Sequence, residues 1–150
     1  AAATSSSITV SPVIPHHLEA VLKKLEESGS RILKKGNSIS IKGNKITAVD
    51  IKTAPFPGFP TDLQAPFMAL MTIAKGRSII SETIFENRMN HVELLNKMGS
   101  SITVNNNVAT INGVKNLTGT TLVGADLRSS AALIIAALIS KKTSNNNPKD

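Results

Sequence analysis

The sequence predicts an α/β fold assembled from two copies of one unit, on three observations. Four segments place apolar residues as helices do, and short alternating runs bounded by turn signals lie between them. The order of these elements then recurs. A shift of 70 residues lays Gly29-Ser30-Arg31-Ile32 on Gly99-Ser100-Ser101-Ile102 and Asn37 to Ile41 on Asn107 to Ile111, and a shift of 64 lays Asp62-Leu63-Gln64 on Asp126-Leu127-Arg128.

Each element has its own justification. In HHLEAVLKKLEESG, Leu18, Val21, Leu22 and Leu25 fall on one helical face and Gly29 supplies the stop. RILKK, SISIK and ITAVDIK alternate in character and are separated by Gly36-Asn37 and Gly43-Asn44, so they read as strands. TDLQAPFMALMTIAKG is nearly apolar throughout, the pattern of a helix buried on most sides, and RSIISETI returns to strand. NRMNHVELLNKMG is helical between an Asn87 cap and Gly99. SITVNN, NVATING and TTLVGA follow as strands, and ADLRSSAALIIAALIS is a second apolar helix. The two apolar helices are expected innermost, in a pseudo-symmetric packing.

Composition sets the outer limits. At 150 residues with 41% hydrophobic and 18% charged residues, the chain suits one domain with a real core. The absence of cysteine removes disulfides and thiolate metal sites, and His16 and His17 have no partner at metal-ligand spacing. AALIIAALIS, the longest apolar candidate, is about half of the roughly 20 residues a membrane span requires. A formal charge of +7 attracts phosphate in general, but the lysines are dispersed and no tyrosine or tryptophan is present to stack on bases, so a nucleic-acid partner is not expected. Residues 1–15 read as a flexible leader, 16–140 as the ordered body and 141–150 as a disordered basic tail.

One stretch of that body is unusually stiff. In TAPFPGFPTDLQAPF, prolines and a glycine lead up to a single carboxylate, Asp62, at a helix start. A general base must be held within reach of its proton, and such an approach is one way to hold it. Helix capping competes, because Thr61-Asp62-Leu63-Gln64 has the pattern of a capping box and an acidic first turn suits the helix dipole. Pro66, about one turn further on, is expected to kink the helix.

PFPGFPTDLQA, ETIFENRMNHVELLNKMG, INGVKNLTG and GADLRSSAALIIAALI, in collinear order, closely resemble the carboxyl-terminal part of the UDP-N-acetylglucosamine enolpyruvyl transferases. The resemblance implies an inside-out α/β barrel, with helices inside and sheets outside, whose domains each contain three βαβαββ units. Residues 16–140 would then form two such repeats of an incomplete domain. It also implies transfer of enolpyruvate from phosphoenolpyruvate to the 3-hydroxyl of UDP-N-acetylglucosamine in peptidoglycan synthesis, with no cofactor and no metal.

By the same resemblance Asp62 is the general base for the sugar hydroxyl. Arg88 and Arg128 grip the phosphoenolpyruvate carboxylate, Ile84 lies near the sugar, and Glu86 and Asp126 are orienting or relay groups. Guanidinium forks suit that task, since they match a carboxylate bidentately; the plainer reading of either arginine is an exposed salt bridge. His91 resembles a family histidine but reads as a surface or packing residue.

The family's general-acid loop, its phosphate-gripping arginines and much of its uridine site have no counterpart in these residues. The expectation is therefore a truncated domain, inactive alone, that needs a companion chain, self-association through Leu133, Ile134 and Ile135, or a larger complex. The alternative is a non-catalytic structural subunit of a larger assembly. The compartment would be the cytoplasm in a bacterium, or a plastid if the opening is a processed transit peptide.

Overall fold

Strand pairing in the computed structural model, which describes residues 1–124 and 126–141, reproduces the 70-residue shift with its register intact. β1 (Ser7–Val10) runs antiparallel to β3 (Ser38–Lys42) with Ser7 opposite Lys42, and β5 (Arg77–Ser81) runs antiparallel to β7 (Val108–Asn112) with Arg77 opposite Asn112. On the other side of β3 lies β2 (Arg31–Lys35), as β6 (Ser101–Asn105) lies beside β7. The hairpin turns match as well. Gly36 and Asn106, the first turn residues, have φ of +56° and +53°, a conformation open to glycine and tolerated by asparagine.

The sheets are β1-β3-β2 and β4-β5-β7-β6, with β4 at Ile51–Lys52, and a two-stranded pair of β8 (Leu117–Thr118) and β9 (Ser140–Lys141). Parallel pairings join β4 with β5 and β8 with β9. The opening residues, expected as a flexible leader, therefore carry the first strand of the first unit. SITV alternates weakly and all four residues are exposed, so hydropathy alone leaves it looking like a tail. At the other end Lys141 belongs to β9 rather than to a tail, and residues 142–150 lie outside the described residues.

α1 (Glu19–Glu27) and α3 (His91–Lys97) precede the two hairpins, while α2 (Gln64–Met71) and α4 (Leu127–Ile139) pack on one another. α2 is the central rod. Seven of its residues, among them Met68 and Met71, are buried, and they meet Ile80, Leu95, Ile111 and Leu117 in the core. α4 is buried along one side only, through Ser129, Ala132, Leu133 and Ala136, with Ile134 and Leu138 exposed on the other. Leu133, expected on the open flank, is thus part of the core, near Met98 and Leu122.

Three elements differ from expectation. ITAVDIK contributes only β4, with Thr47 bridging to Lys75. α3 starts at His91, since Asn87 has φ of +57° and turns the chain instead of capping. The described part of TTLVGA, residues 120–124, is not strand, because the parallel partner β9 meets only Leu117 and Thr118.

Candidate active site

The proline-rich approach folds back on β4. Thr53 bridges Phe59, Ala54 N–H donates to the Phe59 carbonyl at 3.0 Å, and Gly58 N–H closes a turn on Pro55 at 2.7 Å. Phe59 is buried edge-on against Phe67 of α2, with ring centroids 5.5 Å apart, which anchors the loop to the central helix. Exposed Phe56 packs edge-on to His16 and His17, so those histidines serve the outside of the loop. Pro60, extended, then delivers the chain into a 3-10 turn over Thr61–Leu63.

That turn presents Asp62 without using it as a cap. Among the described residues no side chain caps the 3-10 turn or α2. Asp62 Oδ1 instead accepts from Arg128 Nε at 2.7 Å and from Arg88 Nη1 at 3.2 Å. The capping box is not formed: the Thr61 hydroxyl donates to Glu82 Oε2 at 2.8 Å, a charge-assisted bond, and its oxygen accepts from Arg88 Nη1 at 3.1 Å rather than from a helix N–H. Gln64 is buried and turned toward Met89 sulfur at 3.1 Å. Pro66 falls in the first turn of α2, where amide hydrogens have no helical partner, so the expected conflict does not arise.

Arg88 comes from the loop between β5 and α3. Its Nη1 also donates to Thr61 Oγ1 at 3.1 Å, and its guanidinium lies 3.9 Å over the Phe85 ring. Arg128 comes from the first turn of α4, where Asp126 is the N-cap: Asp126 Oδ1 accepts from the backbone N–H groups of Arg128 and Ser129, each at 2.9 Å, and Oδ2 from the Ser129 hydroxyl at 2.9 Å. The two repeat-related aspartates have diverged. Asp126 fixes its helix and so orients Arg128, whereas Asp62 reaches across to both arginines.

Ile84 is half-buried, its N–H held by Glu82 Oε1 at 2.9 Å. Glu86 is exposed and has no hydrogen bond or ion pair to another described residue, so the structure leaves it outside the cluster. His91 is 2% exposed, with Nε2 lacking a hydrogen-bond partner among the described residues. It borders a small cleft with Gln64, Asn87, Arg88, Asp126 and Arg128. Among the described residues, no cluster of three or more His, Cys, Asp or Glu could hold a metal ion.

The charges follow from these contacts. The hydrogen bond from Arg128, and then that from Arg88, holds the Asp62 carboxyl below its usual range. Backbone and hydroxyl donors of Ser129 do the same for Asp126. Burial would raise Glu82, but donors from Ile84, Thr61, Thr53 and Phe85 outweigh it and keep it low. Burial pushes His91 down to about 4, although Asp126 pulls it the other way. At neutral pH the cluster is thus an exposed carboxylate between two guanidiniums, beside a neutral imidazole. Such a set can position an anionic group and accept a proton from a neutral one.

Thr53, Thr61 and Glu82 escaped sequence reasoning. The signal was present, since Ser78, Ile80 and Glu82 follow the period of two that faces the core, which marks Glu82 as a buried carboxylate requiring partners.

The fold is that of the carboxyvinyl-transferring enzymes: the family model described as EPSP synthase (3-phosphoshikimate 1-carboxyvinyltransferase) matches residues 1–149, and the chain belongs to that family. More particularly, it is similar to proteins named UDP-N-acetylglucosamine 1-carboxyvinyltransferase. One from Prochlorococcus marinus (strain MIT 9312) is 74% identical over 145 residues, covering 97% of this chain and 32% of the relative. Another, from Prochlorococcus marinus subsp. pastoris, is 85% identical over 144 residues, covering 96% of this chain and 32% of the relative. The chain therefore spans about a third of the length of the curated relatives it matches.

Solved structures agree on the fold. The enolpyruvyl transferase NikO from Streptomyces tendae superposes with a TM-score of 0.81 at 23% identity, covering 91% of this chain and 33% of that one. EPSP synthase from Acinetobacter baumannii superposes with a TM-score of 0.69 at 16% identity, covering 99% of this chain and 38% of that one. The inside-out α/β architecture expected from the resemblance is the class these neighbours define.

Proposed function

We propose that this chain supplies the base and the carboxylate clamp of a UDP-N-acetylglucosamine enolpyruvyl transferase site. The observation that carries the reading is the convergence of Asp62, Arg88 and Arg128 from three separate elements onto one carboxylate oxygen. The names of the relatives support the choice of substrates. In this reading Asp62 takes the proton of the sugar 3-hydroxyl as its oxygen bonds to C2 of phosphoenolpyruvate while an acid outside these residues protonates C3. Loss of a C3 proton and of phosphate then gives the enol ether, and Arg88 and Arg128 hold the phosphoenolpyruvate carboxylate throughout. Ile84 borders the sugar, Asp126 orients Arg128 through its cap, and Glu86 is a relay group only if the loop bearing it turns inward.

Turnover depends on a closed constellation of acid, base and charge clamp. We infer that the 150 residues assayed alone release no phosphate, and that the remaining two thirds of a relative's length, as one chain or a companion, complete the site. Among the described residues no helix is long and apolar enough to cross a membrane. With bacterial relatives, the cytoplasm is the compartment we propose.

The test is kinetic, in an enzyme of the relatives' length carrying these residues. Asp62→Asn keeps size but removes the base, so turnover falls about 10² to 10⁴-fold with little change in phosphoenolpyruvate affinity. Arg128→Lys keeps charge but loses the fork, so phosphoenolpyruvate affinity weakens. An Asp62→Asn enzyme as fast as its parent ends the assignment.

A further inference from the structure

We propose that Glu82 is the positioning residue of Arg88: a buried carboxylate that holds Thr61 and Phe85, two of the three groups against which the guanidinium is set. The inference deepens the proposed function, and rests on it only for what Arg88 grips. Glu82 is 3% exposed at the end of β5 and joins three elements. Its Oε1 accepts from Thr53 Oγ1 at 2.9 Å, Ile84 N–H at 2.9 Å and Phe85 N–H at 3.3 Å, and its Oε2 from Thr61 Oγ1 at 2.8 Å.

Two of those four donors lead to Arg88. A hydroxyl has one proton and two lone pairs. Because the Thr61 proton is committed to Glu82, both lone pairs remain to accept, and Arg88 Nη1 uses one at 3.1 Å. Phe85, whose backbone Glu82 holds, lays its ring 3.9 Å from the guanidinium. Thr53 extends the grip, its hydroxyl accepting from Thr83 N–H at 2.8 Å, so the loop carrying Arg88 is tied to β4. A buried carboxylate is expensive unless fully bonded, and here all its bonds go to the elements that frame the site.

Glutamine at this position would keep the volume and one acceptor oxygen. The amide facing Thr61 would donate, which reverses that bond and sends the Thr61 proton toward the lone pairs Arg88 needs.

The experiment uses this chain without substrate. NMR follows hindered rotation of the Arg88 guanidinium, with circular dichroism to verify folding. Rotation speeds up severalfold in Thr61→Val, which keeps shape and loses the hydroxyl, returns to the parent rate in Thr61→Ser, and speeds up in Glu82→Gln. The Asp62 titration midpoint also rises in Thr61→Val, a substitution that adds no charge. If Glu82→Gln fails to fold, Thr53→Val decides the matter, since it removes a donor to Glu82 and no group that Arg88 touches: faster Arg88 rotation supports the inference and a parent rate overturns it. Parent-like Arg88 rotation in folded Thr61→Val overturns the inference. Loosened Arg88 with unchanged phosphoenolpyruvate affinity in the longer enzyme would support the inference and count against the proposed function instead.

Discussion

Arg128 Nε and Asp62 Oδ1 meet at 2.7 Å, joining the starts of α4 and α2, two helices in equivalent places of the repeat. One repeat supplies the anion and the other the cation, so the site exists only once the central helices have packed. Asp62 is 67% exposed on its side chain, which leaves its second oxygen available to a substrate proton.

The pair makes part of the stability depend on acid. The folded Asp62 carboxyl lies below its ordinary value of 3.8, so its contribution is complete above the unfolded value and disappears as pH falls through the lower folded one. Asp62→Asn should therefore flatten the loss of stability below pH 3.8, read from urea midpoints across an acid series. An acid limb as steep as the parent's would mean that the ion pairs do not persist in solution.

His91 should act over a higher window. Its folded value near 4 lies below the ordinary 6.5, so the unfolded chain binds the proton more readily between them. Stability is then complete above pH 6.5 and declines as pH falls toward 4, by up to about 3 kcal/mol. His91→Leu removes that decline, and thermal melts at pH 7 and pH 4.5 compare the two proteins.

The unlike duties of the two aspartates predict unlike costs at neutral pH. Asp126→Ala removes the cap of α4 and should cost about 1 kcal/mol. Asp62→Ala removes exposed ion pairs and no cap, so it should cost less. Denaturant unfolding of both variants at pH 7 tests this order.

Glycines at matching repeat positions also differ. Gly29 and Gly99 follow α1 and α3 with φ of +108° and +85°. Alanine in the left-handed region costs about 1–2 kcal/mol at either position. At Gly29 the new Cβ would also stand 2.7 Å from the Lys45 carbonyl oxygen, whereas at Gly99 the nearest atom is 3.9 Å away. Gly29→Ala should thus lower the melting temperature more than Gly99→Ala.

The open side of α4 gives a solution test. Ile134 and Leu138 are 63% and 66% exposed on a helix that is apolar from Ala131 onward. We expect the 150 residues to self-associate through this face, and Ile134→Lys with Leu138→Lys to shift sedimentation toward monomer. A parent that sediments as a monomer at every concentration would remove this expectation.

Local pattern was sufficient for the elements whose signal is local. Period and turn residues placed α1, β2, β3, α2, β6, β7 and α4, and the 70-residue shift exposed the repeat, because periodicity and turn chemistry act within a few residues along the chain. β1 lay beyond that reach: its four residues are exposed, and only its pairing with β3 makes it a strand. Asp62, Arg88 and Arg128 were legible through motifs, as was Asp126.

What those side chains touch was decided by tertiary structure. Thr61-Asp62-Leu63-Gln64 spells a cap, yet buried Glu82 takes the threonine and two distant arginines take the aspartate. A capping box is worth about a kilocalorie and is settled inside one helical turn. Here it lost to charge-assisted bonds from residues 21 to 66 positions away, which form only when α2 packs against α4 and β5. The sequence by itself determined the elements with a local signal, the repeat, and Asp62, Arg88, Arg128 and Asp126; packing added β1 and Glu82 with its threonines, and decided which aspartate caps a helix and which one faces the arginines.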